Sequence, residues 1–129
     1  ISDSPVARCD RWAVDPKSGA ISNRTPLFKL GQGEGLVDGS TVDSEGGYWA
    51  TMVFGSALRR YLPDGTLDWE IKLPFEAPTK VAFGGKSWET LYITSTSDPM
   101  GFPTTSPLNG GLFAFTPGVK GLADPLLPK

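Results

Sequence analysis

Residues 39–73 read GSTVDSEGGYWATMVFGSALRRYLPDGTLDWEIKL, and four short strands with three turns can be read along them. Gly39 to Asp43 is the first strand, followed by a tight turn at Ser44-Glu45-Gly46-Gly47. Tyr48 to Val53 is the second strand and Gly55-Ser56 turns the chain again. Ala57 to Leu62 is the third, and Pro63-Asp64-Gly65 is a strong turn signal. Leu67 to Leu73 is the fourth. There Leu67, Trp69, Ile71 and Leu73 are apolar while Asp68, Glu70 and Lys72 are charged, the period of two of an outer strand with one buried face. A four-stranded unit of this size cannot bury both faces alone and needs similar units beside it.

The flanking sequence supplies them. Ile1-Ser2-Asp3-Ser4, Trp49-Ala50-Thr51-Met52 and Ile93-Thr94-Ser95-Thr96 are three apolar-then-hydroxyl strands whose first residues lie 48 and 44 positions apart. A period of about 40–50 residues with several short strands in each is a sign of β-propeller blades. Before the central unit, Ala7 to Val14 reads as a strand, Asp15 to Gly19 as a turn, and Pro26 to Leu30 as a short edge strand, since proline at a strand start suits an edge. Gly31 to Gly35 is a glycine-rich connection without the spacing of a phosphate loop. After it, Thr79 to Phe83, Thr90 to Ser95 and Gly111 to Thr116 read as strands, with turns at Gly84-Gly85 and Pro117-Gly118. Ser97 to Asn109 is a long loop, and Leu122 to Leu127 a ragged final strand. The expectation is an all-β chain with essentially no helix. It is one domain over residues 1–129, covering about three blades, with blade boundaries near 30–38 and 74–79.

Composition narrows the chemistry. The formal charge is −2 without a basic block, which argues against nucleic-acid binding. The basic pair Arg59-Arg60 reads as strand alternation. No apolar run approaches the ~20 residues of a membrane helix. There is no histidine and a single cysteine, Cys9. Neither a Ser-His-Asp triad nor a Cys/His zinc site can therefore be assembled from these residues. Ser95 and Thr96 have no histidine to activate them. Cys9 reads as a small buried hydrophobe, and the lack of disulfide pairs favours a cytoplasmic setting. The sequence begins at Ile1 without Met, so an upstream segment is expected. Any catalysis rests on carboxylates, amides, hydroxyls or a metal held by oxygen.

Among the carboxylates, Asp38 precedes a glycine and a run that reads as a blade's innermost strand, the strand that lines a propeller axis. On local sequence alone Val37-Asp38-Gly39 reads first as a turn with the aspartate bonding nearby backbone. Asp43, Glu45 and Asp64 read as turn residues that satisfy backbone amides. Asp3 follows the first apolar strand and is a weaker channel candidate. Trp12, Trp49, Tyr61 and Trp69 read as core between blades, and Trp88 as exposed.

The ordered series of motifs resembles a known family. Val37-Asp38-Gly39, Val42-Asp43-Ser44-Glu45-Gly46, Tyr48-Trp49, Arg60 and Pro63-Asp64-Gly65 are similar to the gluconolactonase, senescence-marker-protein (regucalcin) and luciferin-regenerating-enzyme family. So are Ser22-Asn23-Arg24, Ala82-Phe83-Gly84-Gly85, Leu91 to Ser95, Gly110-Gly111-Leu112-Phe113 and Pro117 to Leu122. The resemblance implies the C-terminal half of a six-bladed propeller with a divalent metal at its central channel, Ca²⁺ first, with Zn²⁺, Mg²⁺ or Mn²⁺ as alternatives. It implies hydrolysis of a sugar lactone such as gluconolactone. The family holds its metal with a Glu, an Asn and the Asp of a Pro-Asp-Gly motif. That Asp maps onto Asp38, with Val37 in place of the usual proline, and the other two map upstream of Ile1. The resemblance thus makes Asp38 metal ligand and general base or acid. The alternative is a non-catalytic propeller fragment serving as a binding or structural module. Expected partners are a sugar lactone and either the N-terminal half of the propeller or a second copy of the chain.

Overall fold

The computed structural model describes residues 1–123. Three antiparallel sheets follow one another along the chain. The first holds β1 (Ser2–Asp3), β2 (Arg8–Val14) and β3 (Ile21–Lys29). The second holds β4 (Leu36–Val42), β5 (Tyr48–Val53), β6 (Ala57–Tyr61) and β7 (Leu67–Lys72). The third holds β8 (Pro78–Gly84), β9 (Thr90–Ser95) and β10 (Leu112–Phe115). Each sheet is a meander of sequential strands. Among the described residues there is no α-helix, and the one helical turn is a 3-10 turn at Ser4–Val6 with Pro5 in its first positions. The expected final strand falls largely outside the described residues; Leu122 and Ala123 are not in a strand.

Strands β5 and β6 of the central sheet are buried on both faces, while β7 is exposed except at Ile71, and the period of two explains the burial of the inner pair. Ala50, Met52, Ala57 and Tyr61 face the first sheet and pack with Cys9, Phe28, Leu30 and Val37. Trp49 and Leu58, one residue out of phase, face the third sheet and pack with Phe75, Val81, Phe83, Leu91 and Ile93. Arg59 and Arg60 obey the same alternation and leave the strand on opposite faces. Each large apolar side chain fully buried here contributes roughly 1.5–3 kcal/mol, so the two seams between sheets carry the fold.

Two expectations need correction. The third strand begins at Ile21, not Pro26. Pro26 sits within an edge strand that has no further partner, beside a register shift, where its missing N–H costs no ladder bond. The second correction concerns the aromatics. Trp49 and Tyr61 are core, but Trp69 is 40% exposed, meeting Trp49 edge-on with ring centroids 5.8 Å apart. Trp12 lies under the Arg24 guanidinium and belongs to neither seam. Trp88 is half-buried against the second seam.

The feature that positions the site is a bulge. Val37 pairs with Met52 and Ser40 with Ala50, so Asp38 and Gly39 together oppose Thr51. A bulge of this kind re-aims the side chains at its centre. The neighbouring strand β8 is bulged at the corresponding place, where Pro78 pairs with Ser95 and Lys80 with Thr94, leaving Thr79 extra. The two bulges touch. A Cβ on Gly39 would stand 2.5 Å from the Thr79 carbonyl oxygen, so only glycine lets β4 and β8 approach this closely.

Candidate functional site

Asp38 lies on β4, the first strand in the order of its sheet, at a cleft of about 560 Å³. Ser4, Thr79, Thr96 and Asp98 are the other polar residues of its lining. Leu36, Val37, Val53, Pro99 and Met100 supply most of the apolar wall. The cleft therefore gathers the 3-10 turn, the two bulged inner strands and the long loop after β9. The Ser4 hydroxyl donates to the Val37 carbonyl and ties the turn to the bulge. Thr51 Oγ1 donates to the Gly39 carbonyl at 3.0 Å and ties the bulge to β5.

Among the described residues, the Asp38 carboxylate accepts no hydrogen bond that would stabilise its charge. Desolvation by the surrounding wall pushes it above the ordinary 3.8, and Lys80 pulls the other way without cancelling the rise. The Lys80 ammonium instead donates to the Ser40 carbonyl at 2.7 Å. An unsatisfied carboxylate at a cleft is disposed to take a proton or a cation.

Asp43 is the opposite case. It is fully buried. Its Oδ1 accepts the N–H groups of Glu45 at 2.9 Å and Gly47 at 2.8 Å, as a turn aspartate should. Its Oδ2 accepts Trp49 Nε1 and Arg60 Nε, each at 2.7 Å. Burial alone would raise this carboxyl, but Arg60, Trp49 and the two amides together hold it below its ordinary value. Arg60 also meets Glu45 at 2.8 Å and Asp68. Gly47 is required here too, because a Cβ would stand 2.5 Å from both Arg60 Nε and Asp43 Oδ2. On the other face Arg59 joins Glu34 and Glu70, each at 2.7 Å. With both oxygens of Asp43 engaged, that carboxylate holds the sheet and offers no atom to a substrate.

The long loop is anchored at its base. The Glu76 carboxylate accepts the Thr105 hydroxyl, the Asn109 amide and the Thr105 and Ser106 backbone N–H groups. The Thr105 hydroxyl and the Asn109 amide are the main reasons its pKa falls to about 2. Ser106 Oγ donates to the Pro74 carbonyl at 2.7 Å. Farther out, Phe102 meets Phe54 edge-on at 5.4 Å.

Sequence reasoning selected Asp38 and missed Thr79 and Asp98, and it dismissed Thr96 for want of an activating base. The signal for Thr79 is its place in β8, equivalent to Asp38 in β4. For Asp98 and Thr96 the signal is loop length, since long ordered loops in compact domains are commonly functional. Asp3 pairs with Arg8 on β1 and does not line the cleft. Asp64 Oδ1 accepts the Thr66 N–H at 2.9 Å within its turn. No group of three or more His, Cys, Asp or Glu placed to hold a metal ion occurs among the described residues. Asp38 fits a hard divalent cation as one oxygen ligand, because the cation would relieve its unsatisfied charge. It supplies a small part of the six to eight oxygens that Ca²⁺ takes.

Residues 1–97 match the SMP-30/Gluconolactonase/LRE-like region. A 6-deoxy-6-sulfogluconolactonase of Pseudomonas putida is 38% identical over 128 residues, which are 97% of this chain and 44% of that protein. A luciferin-regenerating enzyme superposes with a TM-score of 0.84 at 32% identity, covering 94% of this chain and 42% of that one. Regucalcin of Agrobacterium tumefaciens, described as a calcium-binding protein, gives 0.83 at 27% identity over 96% of this chain and 43% of its own. The chain thus spans about two-fifths of the length of these relatives.

Proposed function

Because the chain belongs to the SMP-30/gluconolactonase/LRE-like family, we propose that it forms part of a metal-dependent sugar-lactone hydrolase in which Asp38 is both a metal ligand and the proton acceptor. The observation that carries this reading is the unsatisfied Asp38 carboxylate, aimed by the β4 bulge into a cleft between inner strands.

Lactone hydrolysis joins a water oxygen to the carbonyl carbon and breaks the bond from that carbon to the ring oxygen. The ring oxygen leaves as a hydroxyl, and the product is a hydroxy acid. Asp38 takes the proton released by the attacking water and returns one to the departing ring oxygen. Leu36, Val37, Val53 and Pro99 supply an apolar wall beside the carboxylate. A divalent cation, when bound, polarises the lactone carbonyl and lowers the pKa of water beside it. Ca²⁺ is our first assignment, in keeping with the calcium-binding regucalcin relative.

The remaining ligands and blades come, in this reading, from the rest of a complete propeller or from a second copy. Val14 and Leu112, in the two outer sheets, are 60% and 66% exposed, as residues awaiting a neighbour would be. A non-catalytic propeller segment is the second reading, favoured by the single carboxylate that β4 supplies. One experiment separates the two. The complete propeller is assayed for gluconolactone opening in a pH-stat, then chelated and resupplied with Ca²⁺. We expect hydrolysis that chelation abolishes and Ca²⁺ restores. Absence of hydrolysis with metal present would leave the non-catalytic reading.

A further inference from the structure

The Ser97–Asn109 loop places a second carboxylate, Asp98, in the lining of the Asp38 cleft. Among the described residues the lining contains Asp38 and Asp98 and no lysine or arginine. The nearby Lys80 is committed to the Ser40 carbonyl. Asp98 is held rather than free. Its Oδ1 accepts the Gly101 N–H at 2.9 Å, and its own N–H donates to Thr96 Oγ1 at 3.2 Å. Its Oδ2 makes no hydrogen bond among the described residues, and remains an acceptor for a ligand. Pro99 beside it is buried, while Met100 extends along the cleft. The loop behind these residues is pinned through Glu76, Ser106 and Phe102. A carboxylate on a pinned loop discriminates by charge and by hydrogen bonding.

We propose that Asp98 is a specificity-determining residue, accepting a hydroxyl of a neutral sugar lactone and rejecting lactones that carry a sulfonate or phosphate. The inference rests on the lactonase reading above and narrows its substrate class. With the cation neutralising Asp38, the Asp98 carboxylate repels an anionic substituent placed beside it, whereas a hydroxyl donor finds an open acceptor.

The test compares kcat/KM for gluconolactone and for 6-phosphogluconolactone in the complete propeller, wild type against Asp98→Asn and Asp98→Lys. Asp98→Asn retains the side-chain oxygen that caps the Gly101 N–H, so it guards against loss of the loop itself. Circular dichroism and denaturant unfolding report folding of both variants. Wild type is expected to prefer the neutral lactone. The ratio should shift toward the phosphorylated lactone by severalfold in Asp98→Asn and by at least about tenfold in Asp98→Lys. An unchanged ratio in folded, active variants would overturn the assignment of Asp98 and leave the lactonase reading intact. A wild type that opens neither lactone would overturn the lactonase reading and this inference with it.

Discussion

Asp38→Asn in the complete propeller lowers lactone hydrolysis by about 10²- to 10⁴-fold, the range typical for loss of a general base, with KM changed far less. The effect follows from an aspartate that accepts no hydrogen bond among the described residues and that faces the cleft. Stability moves the other way. Desolvation raises the folded-state pKa above 3.8, so the ionised carboxylate costs stability at neutral pH, and its removal is neutral or slightly stabilising. Activity needs the carboxylate form and is lost as pH falls through the Asp38 pKa, which a bound cation sets below that of the metal-free chain. Stopped-flow indicator assays across pH, with denaturant unfolding of both proteins, check all three statements. Near-normal hydrolysis by the variant would remove Asp38 from the chemistry.

Asp43→Ala destabilises the chain by roughly 3–5 kcal/mol, the usual cost of stripping one partner from a buried pair. Asp43 is fully buried and serves four donors, among them Arg60, which is itself 5% exposed. The variant leaves the guanidinium with Glu45 and Asp68, both more exposed than Asp43. Because the folded-state pKa of Asp43 lies below 3.8, its contribution is complete above that value and fades as pH falls through the lower one. Urea unfolding at pH 7 and at successively lower pH measures both effects. A loss under 1 kcal/mol would mean that Arg60 finds equivalent partners.

The two aspartates show what the sequence could and could not convey. Strand order, turns and the three-sheet plan follow from period-two patterning and Gly/Pro punctuation, both of which act locally. The anchoring of Asp43 by Glu45 and Gly47 amides is equally local and was legible. Its pairing with Arg60 joins β6 to the β4–β5 turn across the sheet. Nothing in the alternation of Arg59-Arg60 names the partner. Asp38 was legible through family resemblance, since a bulge two residues wide leaves no mark in a hydrophobic pattern. Asp98 was invisible because its place in the cleft depends on where Glu76 and Phe54 hold a loop distant from them in sequence. Trp69 was misplaced because alternation shows which side of an outer strand faces inward, but not how much packs against it.

The central claim is that Asp38 binds the metal that the family resemblance implies, and calorimetric titration of Ca²⁺ into the complete propeller tests it most directly. The wild-type protein should bind one ion with an affinity that falls by about 100-fold or more in Asp38→Asn, beyond the 10- to 100-fold expected for loss of a group that merely supports a ligand. Equal affinity in the two proteins would contradict the account and place the metal elsewhere.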